Sequence, residues 1–264
     1  MHPIERLRFV ARATDAPVDD VVREAAASLA GFAQDPVSLV TACRRLIDRH
    51  PANGAIWWLC ARTLVAADPG DEAWRCHSEF HADPTLDELS HLLPAGAAVA
   101  VVGWPDRLAA AFSPRGDVQV RVIDVDGNGP GFVRMLERLD VEAVDIAVSG
   151  IGPAVAGADL LVLEASAIGP TAALVEPGGW AAAAVARAGE VPVWLVGGCG
   201  RVVPAGLWPA LESRLGGAAT APWDRGVDPL PLTLVDQVAG AAGLRTVADA
   251  LATVETPDAA ELRR

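Results

Sequence analysis

The sequence predicts an α/β protein in which a helical N-terminal part precedes a parallel β-sheet with helices on both of its faces. Short runs rich in β-branched residues recur after residue 94, and stretches with helical character separate them along the chain. Before residue 94, apolar side chains instead recur at intervals of three and four, the period of an amphipathic helix. Repeated strand, helix and strand form a right-handed parallel sheet. The domains are therefore predicted as 1–93 and 94–264.

The N-terminal helices are placed by their caps and apolar faces. An alanine-rich amphipathic helix is predicted over 21–32. A second helix begins at Asp35-Pro36, because aspartate caps helix N-termini and proline suits the first helical position. The apolar face predicted for this second helix consists of Val37, Val40, Cys43 and Ile47.

A third helix over 55–67 contains the adjacent tryptophans Trp57 and Trp58. Neighbouring side chains point in different directions on a helix, so one ring belongs to the core while the other can meet a partner or the second domain. The plain core interpretation is favoured for the pair.

Most of the predicted strands are almost continuously apolar, as expected for strands buried on both faces of a parallel sheet. They lie at 97–103, 118–124, 143–149, 158–163 and 191–197. The helices predicted around them cover 105–112, 131–139, 178–188 and 204–215. In such a Rossmann-like sheet, ligands bind beyond the carboxyl ends of the strands. A functional site is therefore predicted at those ends.

Charge and hydropathy exclude several kinds of partner. The formal net charge is −13, which repels a phosphate backbone, and no basic stripe interrupts it. Nucleic acid is therefore not an expected partner. No apolar run reaches the roughly eighteen residues that span a bilayer, and charges replace the apolar part of a signal peptide over residues 1–12. We therefore expect a cytoplasmic protein that does not bind membranes.

The residue types that are missing exclude several reactions. The chain contains no lysine and no tyrosine, so Schiff-base lysines, P-loop lysines and tyrosine/lysine dehydrogenase pairs are ruled out. All five histidines precede the first predicted strand, and the four cysteines form no CxxC pair, which predicts reduced thiols. His77 and His81 have the spacing to share a metal on a helix, but ordinary polar helix positions are the favoured interpretation. No metal or cofactor is predicted.

Candidate ligand-binding residues stand near the carboxyl ends of the predicted strands. They are Gly103, Trp104, Asp124, Asp126, Glu164, Ser166, Glu176, Gly197, Gly198, Gly200 and Arg201. The loop 197–201 combines backbone amides with a guanidinium, a pattern that can hold an anion. The carboxylates can act as acid and base if burial separates their pKa values, or they can cap turns and helices. A second glycine cluster at 127–131 is interpreted as a turn, because its proline removes an amide.

The segment 158–201 resembles the central block of the translation initiation factor 2B regulatory-subunit family. That family also contains methylthioribose-1-phosphate isomerase and ribose-1,5-bisphosphate isomerase. In its usual pattern, a strand ending in Gly-Ala-Asp leads through an Asn-Gly loop to a helix that opens with Asn-Lys-Ile-Gly-Thr. The stretch 229–244 is similar to the family's closing segment. The resemblance implies the fold predicted above, a homodimer and a sugar-phosphate site.

Departures from the family pattern fall on the residues that carry the chemistry. Glu-Ala-Ser at 164–166 replaces Gly-Ala-Asp, and Glu-Pro-Gly-Gly at 176–179 replaces the start of Asn-Lys-Ile-Gly-Thr. Asp126 stands where the family is expected to have a phosphate-facing arginine, which reverses the sign of the local charge. The isomerases' catalytic cysteine and aspartate have no counterpart, and only Arg201 remains at a basic family position.

These departures predict a protein that keeps the fold but has lost the isomerase chemistry. We interpret it as a binding or assembly protein, a homodimer that can hold a small phosphorylated ligand such as a sugar phosphate or nucleotide. The alternative is an aldose–ketose isomerase of ribose phosphates with an altered active site. Sensing of such a ligand through the loop 197–201, without chemistry, is a third possibility. The acidic, alanine-rich composition without lysine points to a bacterial source.

Overall fold

The computed structural model describes residues 17–105, 107–216 and 221–263. Its N-terminal helices are α1 (Val18–Ala30), α2 (Pro36–Arg49), α3 (Gly54–Val65), α4 (Pro69–His81) and α5 (Thr85–Leu92). The side chains of Asp35, Asn53 and Asp68 accept hydrogen bonds from backbone amides in the first turns of α2, α3 and α4. Such caps satisfy amides that have no partner within the helix. The helix start predicted at Asp35-Pro36 is confirmed.

The buried face of α2 differs from the predicted one. Its buried residues are Leu39, Ala42, Cys43, Leu46 and Ile47. Val37 is 78% exposed, so its inclusion in the apolar face was wrong. The reason is its position in the first turn, where it precedes the stretch that packs against the neighbouring helices.

Both adjacent tryptophans of α3 are fully buried, as the core interpretation predicts. The indole nitrogen of Trp57 donates to the carbonyl of Pro51 at 2.9 Å, and the Arg62 guanidinium lies 5.2 Å from the centroid of the Trp58 ring. Helix α3 lies between α1, α2 and α4, so opposite sides of it face protein. A central helix can therefore bury two side chains that point in different directions.

The strands within the described residues form two sheets. They are β1 (Ala98–Val102), β2 (Gln119–Asp124), β3 (Glu142–Ala147), β4 (Leu160–Glu164), β5 (Ala167–Ile168), β6 (Ala172–Val175), β7 (Val193–Val196), β8 (Asp228–Pro231), β9 (Gln237–Gly240) and β10 (Gly243–Arg245). The larger sheet has seven strands in the order β10-β9-β7-β4-β1-β2-β3. All of its pairs are parallel except β9 with β10. The predicted Rossmann-like sheet is thereby confirmed.

The smaller sheet was not predicted. It has three antiparallel strands in the order β5-β6-β8. The sequence gives little sign of it, because β5 has only 2 residues and β8 contains Pro229 and Pro231. Proline lacks an amide donor, and β8 lies at the edge of this sheet, where that loss is tolerated.

Helices cover the larger sheet and connect its strands. They are α6 (Leu108–Phe112), α7 (Gly129–Glu137), α8 (Ile151–Ala156), α9 (Gly179–Ala188), α10 (Trp208–Leu215) and α11 (Val247–Ala252). One apolar cluster joins the N-terminal helices to Ala167, Leu174 and Trp208. The amide of Gly54 also donates to the carbonyl of Ser166 at 2.8 Å. These contacts hold α3 against the chain that leaves β4. Among the described residues, no helix has both the length and the apolarity to cross a membrane.

Candidate functional site

The strand order creates a crevice between the carboxyl ends of β1 and β4. The chain leaves β1 towards β2 and β3 on one side, whereas β4 and β7 lie on the other side. Open α/β sheets bind ligands at this change of direction. A cavity of about 750 Å³ lies there, and we call it the switch-point cavity. Pro17 and Val18, at the start of α1, complete its wall.

Most of the predicted ligand-binding side chains converge on the switch-point cavity. Those that line it are Trp104, Asp126, Glu164, Ser166, Glu176 and Arg201. Gly103 lies directly beside them. It has φ +67°, and a Cβ at this position would lie 3.4 Å from Cγ and Oε2 of Glu176. Glycine therefore permits both the turn after β1 and the close approach of Glu176.

Three carboxylates line the cavity. Asp126 follows β2, Glu164 ends β4 and Glu176 follows β6. Within the described part of the chain, no hydrogen bond or ion pair is formed by the Glu176 carboxyl group. Glu176 is exposed to solvent, yet partial burial of its carboxyl group, followed by the charges of Asp126 and Glu164, raises the pKa of Glu176 to about 7. Such a group can exchange a proton near neutral pH.

Arg201 lies beside Glu164 as a buried cation that is only 2% exposed. Its Nη1 donates to the carbonyl of Ser166 at 3.3 Å, and its Nη2 lies 4.0 Å from Oε1 of Glu164. The guanidinium also lies 5.7 Å from the centroid of the Phe80 ring. Burial lowers the pKa of Arg201 to about 10, against the opposing effect of Glu164, so the side chain stays charged at neutral pH.

A second guanidinium, that of Arg107, shares the Phe80 ring with Arg201. It lies 5.1 Å from the ring centroid, and its Nη2 is 3.6 Å from Oδ2 of Asp83. The Arg107–Asp83 and Arg201–Glu164 separations both exceed hydrogen-bonding distance. Each guanidinium is therefore close to a negative charge without being bound to it in hydrogen-bond geometry.

The side chain of Asp83 connects the glycine-rich loop 197–201 to the N-terminal helices. Its side chain is 1% exposed. It accepts hydrogen bonds from the amide of Cys199 at 2.8 Å and from the amide and hydroxyl of Thr85 at 3.1 and 2.6 Å. Sequence reasoning missed both Asp83 and Arg107. A single aspartate before a proline is typical of any turn, so the sequence carries no signal for this contact.

The predicted loop 197–201 is divided between two places. Gly197, Gly198 and Gly200 line a separate cavity of about 480 Å³ at the ends of β7 and β9, which we call the outer cavity. A Cβ at Gly198 would lie 2.3 Å from Oδ2 of Asp83. This glycine therefore serves close packing on Asp83. Arg201 is the member of the loop that lines both cavities.

Asp124 serves the turn after β2 and does not line either cavity. Its Oδ1 accepts the amide of Gly127 at 2.8 Å. Backbone hydrogen bonds, that of Gly129 first, hold the pKa of Asp124 below its usual value. The turn interpretation holds for 127–128, whereas 129–131 form the first turn of α7. Asp124 belongs to the turn at 127–128 rather than to the cavity wall.

Nucleophiles and metal ligands are sparse around the cavities. Burial raises the pKa of Cys199, in the wall of the outer cavity, to about 12, which keeps the thiol protonated. His77 and His81 stack with their ring centroids 6.2 Å apart. Across residues 17–105, 107–216 and 221–263, no three potential ligands lie close enough to hold a metal ion.

Comparison with known proteins gives similarity in structure alone. No protein-family profile matches the chain, and no curated protein matches it. Translation initiation factor eIF-2B from Pyrococcus horikoshii OT3 superposes with a TM-score of 0.78 at 12% identity, covering 94% of this chain and 98% of that one. A chain of the tetrameric eIF2B-beta2-delta2 complex of Chaetomium thermophilum superposes with a TM-score of 0.73 at 16% identity. The match covers 95% of this chain and 92% of that one. The 5-methylthioribose 1-phosphate isomerase of P. horikoshii OT3 superposes with a TM-score of 0.64 at 14% identity. The match covers 93% of this chain and 84% of that one. The chain thus has the fold that the sequence resemblance implies.

Proposed function

We propose that this protein is a non-catalytic, divergent member of the initiation factor 2B-like group that binds a small phosphorylated ligand in its switch-point cavity. The observation that carries the proposal is the pair Arg107 and Arg201 over the Phe80 ring, at the topological switch point of the sheet. Guanidinium groups bind phosphate through several N–H donors, and burial strengthens that attraction. The cavity of about 750 Å³ has the size of small-molecule sites.

The residues around the cavity support binding without chemistry. The described lining contains neither cysteine nor histidine, the side chains that most often act as nucleophile or general base. The hydroxyl of Ser166 donates to the carbonyl of Leu174 at 3.2 Å, so it serves the small sheet. This lining agrees with the loss of family residues seen in the sequence.

One observation favours the alternative function, isomerisation of a ribose phosphate. Glu176 faces the cavity, and its pKa of about 7 suits a general base. Its carboxylate would take the proton from C2 of the open-chain aldose and return it to C1, with a hydroxyl proton moving between the two oxygens. The products of that reaction are a ketose phosphate and the unchanged carboxylate.

A thermal-shift titration with ribose 5-phosphate, AMP and inorganic phosphate tests the binding proposal. A ligand present at about one hundred times its dissociation constant adds about 2.7 kcal/mol of stability. We expect at least one of the organic phosphates to raise the melting temperature. Arg107→Gln should reduce the shift, whereas Arg134→Gln on the exposed face of α7 should not. Absence of a shift with all of the ligands would overturn the proposal.

The same mixtures of protein and ribose 5-phosphate distinguish binding without catalysis from isomerisation. Under the binding proposal, NMR spectra of ribose 5-phosphate incubated with the protein stay free of ketose signals. Appearance of the ketose, lost in Glu176→Gln, would establish the isomerase instead.

The proposal includes assembly as a homodimer. The C. thermophilum relative is a tetrameric complex, and the edge strand β3 here carries an exposed apolar surface. Val144 in β3 and Val148 in the turn after it are each 51% exposed, although strands of parallel sheets are usually covered on both faces. We expect sedimentation to give a dimer that Val144→Asp dissociates and Val37→Asp on α2 does not. A monomeric wild-type protein at high concentration would contradict this part of the proposal.

A further inference from the structure

We propose that the ligand of the switch-point cavity is a nucleotide, whose aromatic base stacks on Trp104 while its phosphate interacts with Arg107 and Arg201. This inference deepens the proposed function and rests on it for the phosphate. The ligand class is thereby a nucleoside monophosphate rather than a simple sugar phosphate.

The indole of Trp104 forms part of the cavity wall, directly after the end of β1. Trp104 is partly buried and lines the cavity. Its ring packs on α7, where the ring centroid of Phe132 lies 5.6 Å away and the two planes are tilted by 52°. A Cβ at Gly131, in the same helix, would lie 2.6 Å from Cζ3 and 3.2 Å from Cη2 of the indole. The missing side chain at Gly131 therefore lets the six-membered ring approach the helix closely.

The contacts with α7 hold the indole in place before any ligand binds. A side chain that is already ordered loses less conformational entropy on binding, so its contacts contribute more to affinity. Aromatic side chains of this kind stack on nucleobases, and the stacking is similar for all of them because every base has a π face. Trp104 is therefore suited to hold the base of a nucleotide.

The aromatic and cationic groups of the wall pack on different helices. Trp104 packs on α7, which follows β2. The guanidinium groups of Arg107 and Arg201 instead lie over the Phe80 ring of α4. Arg201 follows β7, which is separated from β1 by β4, and neighbouring strands are about 4.8 Å apart. A ligand that contacts both groups therefore needs a spacer between its phosphate and its ring, and the ribose of a nucleotide is such a spacer.

Apolar side chains in the lining favour a ligand that is not polar throughout. Besides Trp104, the cavity is lined by Pro105, Val175 and Val227. A ribose phosphate has a hydroxyl or phosphate oxygen on almost every carbon, so it gains little from contact with these groups. A nucleobase has two flat faces whose removal from water is favourable. The cavity of about 750 Å³ lies within the size range of sites that enclose small organic molecules.

Matched ligands isolate the contribution of the base. We would titrate the full chain by isothermal calorimetry with AMP, with methyl ribofuranoside 5-phosphate, which has no base, and with adenosine, which has no phosphate. We expect AMP to bind at least about tenfold more tightly than the base-free phosphate, equivalent to about 1.4 kcal/mol. GMP and CMP should share this advantage, because stacking depends little on the identity of the base.

Substitutions of Trp104 assign the base to its ring. Trp104→Leu keeps an apolar side chain against Phe132 but removes the aromatic face, so the ratio of the affinities for AMP and the base-free phosphate should fall close to one. Trp104→Phe keeps an aromatic ring and should retain most of the ratio. Trp74→Ala removes a tryptophan of α4 that is 45% exposed and lies outside the described lining of the cavity, so it should leave the ratio unchanged.

The possible outcomes distinguish the inference from the proposed function. Equal affinities for AMP and the base-free phosphate would overturn the inference and leave the phosphate-binding proposal standing. An advantage of AMP that persists in Trp104→Leu would place the base elsewhere and also overturn the inference. Adenosine that binds as tightly as AMP would overturn both, because the phosphate would then contribute nothing. Failure of all of these ligands to bind would likewise overturn both.

Discussion

Arg201→Ala is expected to lower the free energy of unfolding by about 3 kcal/mol. The substitution removes a buried cation that lies beside Glu164, donates to the carbonyl of Ser166 and covers the Phe80 ring. Removal of one partner from a buried ion pair leaves the other charge uncompensated, and typical losses are about 3–5 kcal/mol. We expect a loss at the lower end of this range because Glu164 keeps 17% of its side-chain surface exposed to solvent. Urea denaturation measures the loss.

A matched control variant compares the loss of an exposed arginine with the loss of the buried one. Arg23→Ala removes an arginine of α1 that is 53% exposed and forms ion pairs with Asp20 and Glu24. Exposed pairs contribute at most about 1 kcal/mol, so this variant should unfold close to the wild-type midpoint. Equal destabilisation by the two variants would show that Arg201 does not act as a buried charge.

Asp83→Ala is expected to destabilise the protein by about 3 kcal/mol and to release the loop 197–201. The variant loses three hydrogen bonds to a carboxylate that is 1% exposed, and charged hydrogen bonds are worth about 1.5–3 kcal/mol each before relaxation. It also removes the negative charge that lies 3.6 Å from Arg107. Loss of protection from hydrogen exchange at the Cys199 amide should accompany the lower urea midpoint.

Asp83→Asn provides the comparison for that prediction. It keeps one acceptor oxygen and the shape of the side chain but loses the negative charge, so its destabilisation should lie between those of the wild type and Asp83→Ala. An unchanged protection of the Cys199 amide in Asp83→Ala would contradict the assignment of Asp83 as the tether of the loop.

The central strands β1, β4 and β7 were predictable because they are short apolar runs whose burial on both faces leaves a strong pattern. The helix start at Asp35 was predictable for a similar reason, since an aspartate before a proline has a local physical meaning. The strand β8 was not predictable, because Pro229 and Pro231 argue against a strand until its position at a sheet edge is known. The exposure of Val37 likewise depends on where the neighbouring helices end.

The candidate site likewise contains residues that local sequence patterns predict and residues that they do not. Trp104, Asp126, Glu164 and Ser166 were predicted as ligand-binding residues because they follow or end strands of the parallel sheet, whose carboxyl ends lie together. Glu176 also lines the cavity, but it follows β6 of the small sheet, which was not predicted. Asp83 and Arg107 were missed. The bond between Asp83 and Cys199 joins residues 116 positions apart, and no local pattern encodes such a contact. Whether these side chains bind a ligand is the question that the titrations address.

Arg201 forms part of the wall of two cavities. It lines both the switch-point cavity and the outer cavity, and it is almost completely buried. A ligand in one cavity that displaced this side chain would change the wall of the other. The two binding events would then be coupled, and each ligand would change the affinity of the other by the same factor. The two cavities therefore share a wall residue and are not independent of each other.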